Sequence, residues 1–120
     1  MNDTTSTPLH WGLTLRLYRE GKSFGPGPMG LLEGVERTGS LQQAAAGMGM
    51  AYSKAWRILK RVEEDWGFPL LTRQTGGAKG GGSTLTAEGK DLLNRYRAML
   101  SRVEQAAREA FDECFPAETR

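Results

Sequence analysis

Apolar residues recur along this chain in two rhythms. From Trp11 to Tyr18 they alternate, with Trp11, Leu13, Leu15 and Leu17 set between Gly12, Thr14, Arg16 and Tyr18. A period of two predicts a half-buried strand. Glu20-Gly21-Lys22-Ser23 then reads as a turn, and Gly25-Pro26-Gly27-Pro28 breaks the chain. Pro28 suits the first position of a helix, where the N–H it lacks would have no partner. Leu31, Leu32 and Val35 give that helix one apolar face, and Gly39 stops it. Ser40-Leu41-Gln42-Gln43 has the form of a capping box, serine first and glutamine three residues on, and opens a short alanine-rich helix to about Met48. Gly49 supplies a tight turn. Trp56, Leu59, Val62 and Trp66 recur every three or four residues and predict a third helix from about Ala51 to Trp66, ended by Gly67 and Pro69. In that helix Trp56 and Leu59 are expected to face the core. Leu70 to Gln74 reads as a strand, the glycine tract from Gly76 to Gly82 as a loop, and Ser83-Thr84-Leu85 as the returning strand. Thr86 caps a last helix that reaches about Phe115, where Pro116 ends it.

Within that last helix Leu93, Tyr96, Leu100, Val103, Ala107, Ala110 and Cys114 lie alternately three and four apart, the spacing of a heptad seam. A helix from Thr86 to Phe115 would be about 45 Å long at about 1.5 Å per residue. A compact chain of this size has a radius of gyration of about 14 Å. The helix is therefore expected to overhang its own domain, and Leu93, Tyr96, Leu100, Val103, Ala107 and Ala110 are the expected contacts with a second copy. The alternative is a helix that folds back on the same chain.

The 120 residues suffice for one domain with a modest core. No apolar run approaches the ~18 residues that span a bilayer. Met1 to Thr7 is polar, without the apolar heart of a signal peptide, so a cytoplasmic location is expected and no membrane partner. The chain has one cysteine, Cys114, and one histidine, His10. That excludes an intramolecular disulfide framework and argues against a Cys/His metal cluster, so no metal or cofactor is expected. Cys114 reads as a small apolar contact. Gly25-x-Gly27-x-x-Gly30 copies the spacing of a dinucleotide loop but fails its chemistry: Pro26 and Pro28 remove N–H groups, and the position twenty residues further holds Met50 instead of an acid. Glu63, Glu64 and Asp65 are adjacent on a helix, splay around it and read as a solvated face. No catalytic constellation remains, and no enzymatic activity is expected.

Formal net charge is only +2, but it is unevenly spread. Between Ala51 and Gly80, Lys54, Arg57, Lys60, Arg61, Arg73 and Lys79 outnumber Glu63, Glu64 and Asp65. A local basic excess on a near-neutral body suits a polyanion; the plainer alternative is a solvated helix face. The order of elements decides between them. A small residue, Ala45, where two helices cross and a glycine, Gly49, at the sharp turn are what a helix-turn-helix needs. The following helix then offers Tyr52, Ser53, Lys54 and Arg57 on its first turns to a major groove. The hairpin, with Arg73 on its first strand and Lys79 at its tip, has the form of a wing.

These residues resemble a family. Gly39-Ser40-Leu41, Ala44-Ala45 and Met48-Gly49-Met50-Ala51-Tyr52-Ser53-Lys54-Ala55-Trp56 are similar to the N-terminal domain of ModE-type molybdate-responsive transcription regulators. So are Arg73-Gln74-Thr75-Gly76-Gly77, Lys79 and Leu85-Thr86-Ala87-Glu88-Gly89. More distantly, the Gly-Ser, Ala-Ala and Leu-Thr-x-x-Gly elements resemble LysR-type DNA-binding domains. The resemblance covers about residues 11 to 112. It implies a mostly α fold with a small β-sheet: a winged helix-turn-helix followed by a long C-terminal dimerisation helix. It puts the recognition helix on Tyr52 to Arg61, including Lys60 and Arg61, and the wing on Arg73 to Ser83, including Thr75. Ser40 and Gln42, at the start of the preceding helix, complete the candidate DNA contacts. The family's oxyanion-sensing part is a separate C-terminal module of strands, for which a chain ending at Arg120 has no room, so DNA binding is expected to carry over and molybdate sensing is not. The expected organisation is a leader (1–10), a winged body (11–85), a dimerisation helix (86–115) and a tail (116–120). The expected function is a homodimeric regulator on a palindromic duplex site. The rivals are a protein-docking module on the same fold, and an oxyanion-binding protein, for which the sequence offers no pocket.

Overall fold

The structure, a computed structural model, describes residues 7–74 and 82–120. Thr75, Lys79 and most of the glycine tract therefore lie outside the described residues. The elements run β1 (Leu17–Arg19), β2 (Lys22–Phe24), α1 (Pro26–Thr38), α2 (Leu41–Gly47), α3 (Tyr52–Trp66), β3 (Leu71–Gln74), β4 (Gly82–Leu85) and α4 (Ala87–Cys114), with a short 3₁₀ turn at Ala117–Thr119. The strands form two separate antiparallel pairs, β1 with β2 and β3 with β4.

The N-terminal alternation yields less strand than expected. Only Leu17, Tyr18 and Arg19 enter a ladder, opposite Phe24, Ser23 and Lys22. The expected turn is tighter than Glu20 to Ser23, because Lys22 and Ser23 already belong to the returning strand. The ladder stops because β2 has no more chain to give: after Phe24 comes Gly25, the N-cap of α1, and Pro26 already stands in the helix. Helix α1 thus begins two residues before Pro28. Both prolines are tolerated because the first-turn N–H groups have no partner inside the helix, and Met29 N–H closes the first helical bond on Gly25 O at 2.9 Å.

Phe24, Leu31, Leu32, Val35, Leu59, Leu70, Leu93 and Tyr96 form the centre of one core shared by α1, α3 and the start of α4. Alanines carry the α2 side of it, Ala44 and Ala45 being buried. Helices α1 and α2 pack closely because Gly34 has no side chain: a Cβ there would lie 2.5 Å from the Cβ of Ala44. Trp56, expected to face the core, lies at its edge: like Trp66 it packs against the core but is only half-buried. The buried stripe of α3 is Ala55, Leu59 and Val62, and Trp56 stands about 100° round the helix from Ala55.

Helix α4 is capped by Thr86, whose Oγ1 accepts from Gly89 N–H at 2.9 Å. The molecule measures 61 × 34 × 22 Å with a radius of gyration of 18.5 Å, well beyond the value for a compact chain of this length, as an overhanging helix requires. The expected seam divides along it. Leu93 and Tyr96, expected as contacts with a second copy, are buried in this chain's own core instead. The Tyr96 ring meets Phe24 edge-on at 5.1 Å, and its hydroxyl donates to Leu15 O at 2.7 Å. Leu100 packs against the edge of the core, Val103 and Ala107 are half-buried, and Ala110 and Cys114 are exposed. Arg97 fastens this root to α1 through Glu33 and Glu36, each at 3.2 Å.

Candidate nucleic-acid interface

Helices α2 and α3 are joined by Met48 to Ala51. Gly49 adopts φ +66°, a left-handed conformation that lets the chain reverse in so few residues. Met50 N–H then donates back to Ala45 O at 2.9 Å and closes the turn. At the start of α2, Ser40 caps the helix as its sequence predicts, its Oγ accepting from Gln43 N–H at 3.1 Å. Gln42 is exposed beside it. This geometry fixes where α3 leaves the body and which face it turns outward.

That face is basic. Ser53, Lys54, Arg57, Lys60 and Arg61 are all exposed, on the side of α3 away from Ala55, Leu59 and Val62. Among the described residues none of Lys54, Arg57, Lys60 and Arg61 is tied into an ion pair, so their charges are free to meet an external anion. Trp56, Arg57 and Lys60 line an open cleft of about 340 Å³. Arg61 lies further round, in a second cleft of about 370 Å³ shared with Arg16, Ser23 and the start of α1.

The β3–β4 hairpin pairs Leu71 with Leu85, Thr72 with Thr84, Arg73 with Ser83 and Gln74 with Gly82. Its root is fastened at several points. Thr86 N–H donates to Leu70 O at 2.9 Å, and Thr86 Oγ1 donates to Pro69 O at 2.6 Å. Ser83 N–H donates to Gly39 O at 2.9 Å, tying the hairpin to the α1–α2 corner. Glu63, expected on a solvated face, instead accepts from Leu70 N–H at 2.8 Å and holds the exit of α3. Arg73, the candidate DNA contact on the first strand of the wing, lies with its guanidinium 4.2 Å from the Trp56 ring centroid and donates to the Tyr52 hydroxyl.

The structure therefore brings Tyr52, Ser53, Lys54, Arg57, Lys60, Arg61 and Arg73 around one helix and the root of one hairpin. Sequence reasoning missed Glu63 and the Arg73–Trp56–Tyr52 cluster. A signal existed for the latter: aromatic residues four apart share a helix face, and an arginine on the next strand can stack there. Among the described residues no group of three His, Cys, Asp or Glu side chains could hold a metal ion. No described helix is long and apolar enough to cross a membrane.

Residues 29–90 match the family model of bacterial regulatory helix-turn-helix proteins, lysR family. The chain is 33% identical over 107 residues to the transcriptional regulator ModE of Haemophilus influenzae, covering 89% of this chain and 42% of that protein. It is 34% identical over 96 residues to the DNA-binding transcriptional dual regulator ModE of Escherichia coli K12, covering 79% of this chain and 36% of that protein. It is 35% identical over 83 residues to the molybdenum-pterin-binding protein MopB of Rhodobacter capsulatus, covering 69% of this chain and 31% of that protein. The chain thus spans less than half the length of these relatives. Among solved structures, the crystal structure of the CbnR DBD–DNA complex superposes with a TM-score of 0.58 at 21% identity, over 72% of this chain and 94% of that one, a likeness of fold.

Proposed function

The chain belongs to the lysR family of bacterial regulatory helix-turn-helix proteins, and we propose that it binds duplex DNA in a sequence-dependent way as a homodimer, with no enzymatic chemistry of its own. The observation that carries the reading is the unpaired basic face of α3, opposite its buried stripe. A helix of this kind enters the major groove with its first turns. Lys54 and Arg57 then reach base edges with Ser53 beside them, while Lys60 and Arg61 neutralise flanking phosphates. Ser40 and Gln42 at the N-terminus of α2 are suited to a backbone phosphate, and Thr75 and Lys79 carry the same role to the wing. The relatives named as ModE regulators and the DNA complex of similar fold support this reading.

The second copy docks along the outer part of α4, through Leu100, Val103, Ala107 and Ala110. Two-fold pairing sets two recognition helices on one face, which suits a palindromic site.

The test is selection of bound duplexes from a random pool, followed by titration of the winner and of a scrambled duplex at several salt concentrations. The expected result is an enriched palindromic sequence and an affinity that falls linearly, on logarithmic axes, with salt. No binding at low salt would overturn the reading and favour a protein-docking module on the same fold.

A further inference from the structure

The two segments that flank the proposed groove-binding surface, the start of α3 and the root of the hairpin, are locked together by one side chain. On β3 the residues alternate faces. Leu71 packs against the core, so Arg73, two residues on, projects from the same side. Beyond the edge of the core, that side faces α3. There Tyr52 and Trp56, one helical turn apart, receive it: the guanidinium carbon lies over the indole, 4.2 Å from the ring centroid, and Nη2 donates to the Tyr52 hydroxyl. Tyr52 occupies the first position of α3 after the Ala51 N-cap and remains 42% exposed.

We infer that Arg73 is a positioning residue, clamped on Trp56 so as to fix the Tyr52 hydroxyl as an outward hydrogen-bond donor to an acceptor on the duplex. The phenol oxygen accepts from a cation, so its own proton is left to point away from Arg73. A hydroxyl polarised by a charged donor is itself a stronger donor. Stacking on the indole fixes the guanidinium plane, and the plane fixes where Tyr52 can sit. Lysine keeps the charge but has neither the flat face nor the fork. The acceptor is an oxygen or nitrogen of the duplex, on a base edge or on a phosphate. This inference rests on the DNA-binding reading above for its ligand, but not for the clamp itself.

The test has an arm with DNA and an arm without. In the first, Tyr52→Phe, Arg73→Lys and the double variant are titrated with the selected duplex at fixed salt. Each single variant is expected to lose about two- to tenfold in affinity, the range of one hydrogen bond, and the double variant no more than either alone. A base-edge acceptor shows as relaxed preference at one position in Tyr52→Phe, and a phosphate acceptor as an equal loss on every duplex. Additive losses, or an Arg73→Lys variant that binds like the parent, overturn the assignment, because a charge alone would then suffice. In the second arm the Arg73 side-chain protons of the free protein are followed by NMR. They are expected upfield from the indole ring current and to return to ordinary positions in Trp56→Leu. Unshifted protons in the parent overturn the clamp whether or not DNA binds, whereas shifted protons without DNA binding would remove only the ligand.

Discussion

The two halves of α4 carry the same three-and-four spacing of apolar residues, yet they are placed in different surroundings. The half nearest the body buries Gly89, Leu92, Leu93 and Tyr96 against its own chain. In the half beyond Leu100 no residue is buried. A heptad pattern therefore states that a face will be covered without stating by what. The first half is covered by α1, the β1–β2 hairpin and the chain around Leu15. The second half runs past them and leaves Val103 and Ala107 half-buried and Ala110 exposed. This contrast predicts opposite responses to the same kind of substitution in the two halves.

The largest effect belongs to the inner half. Leu93→Ala should lower the unfolding free energy by about 2–5 kcal/mol, the range for a fully buried leucine, and by the same amount at every protein concentration in urea titrations. A loss below about 1 kcal/mol would mean that the site collapses around the missing methyls. The outer half should respond through association alone. A chain cut after Leu100 should remain folded by circular dichroism and sediment as a monomer, whereas the full chain sediments as a dimer at micromolar concentration. A full chain that stays monomeric there would remove the partner from the outer seam. Val103→Ala should weaken the dimer and leave the unfolding of the full chain's body untouched at concentrations where both proteins are monomeric.

A smaller effect sharpens the boundary between the halves. Burial pushes the Tyr96 phenol above its ordinary range, opposed by the Arg16 charge and reinforced by Glu104. The native state therefore holds its proton to higher pH than the unfolded chain does. Stability should be full below the ordinary phenol pKa and fall as pH rises through the elevated one. Tyr96→Phe should cost about 1 kcal/mol near neutrality, through the lost bond to Leu15 O, and should flatten that alkaline decline. An alkaline decline of equal slope in both proteins would assign it to other groups.

Much of the fold was legible because its punctuation is local. Ser40 and Thr86 cap helices through their own hydroxyls, and Gly39 and Gly67 end helices in left-handed backbone, all four where composition suggests. What was not legible depends on partners distant in sequence. The alternation from Trp11 to Tyr18 describes an extended segment with one apolar side, but a ladder also needs a second strand, and Pro26 limits that strand. Trp56 follows the helical period as well as Leu59 does, yet the neighbouring elements enclose the stripe of Ala55, Leu59 and Val62, and the indole stays at the edge of the core, where an arginine from β3 lies over it. Gly34 looks like a flaw in α1 until Ala44 is seen against it. On the candidate interface, the residue types on α3 were readable from charge and spacing. The use of Arg73 and Glu63 was not, because each is set by a contact with a segment elsewhere in the chain.

The central claim is that the outward basic face of α3 reads DNA sequence, and Arg57→Ala tests it most directly. The ratio of affinities for the selected and scrambled duplexes should be measured for parent and variant at one salt concentration. The account predicts that the ratio shrinks by about 1–3 kcal/mol, the worth of a bidentate base contact, with affinity for the scrambled duplex falling much less. An unchanged ratio, with both affinities reduced alike, would contradict it and leave Arg57 as a phosphate contact.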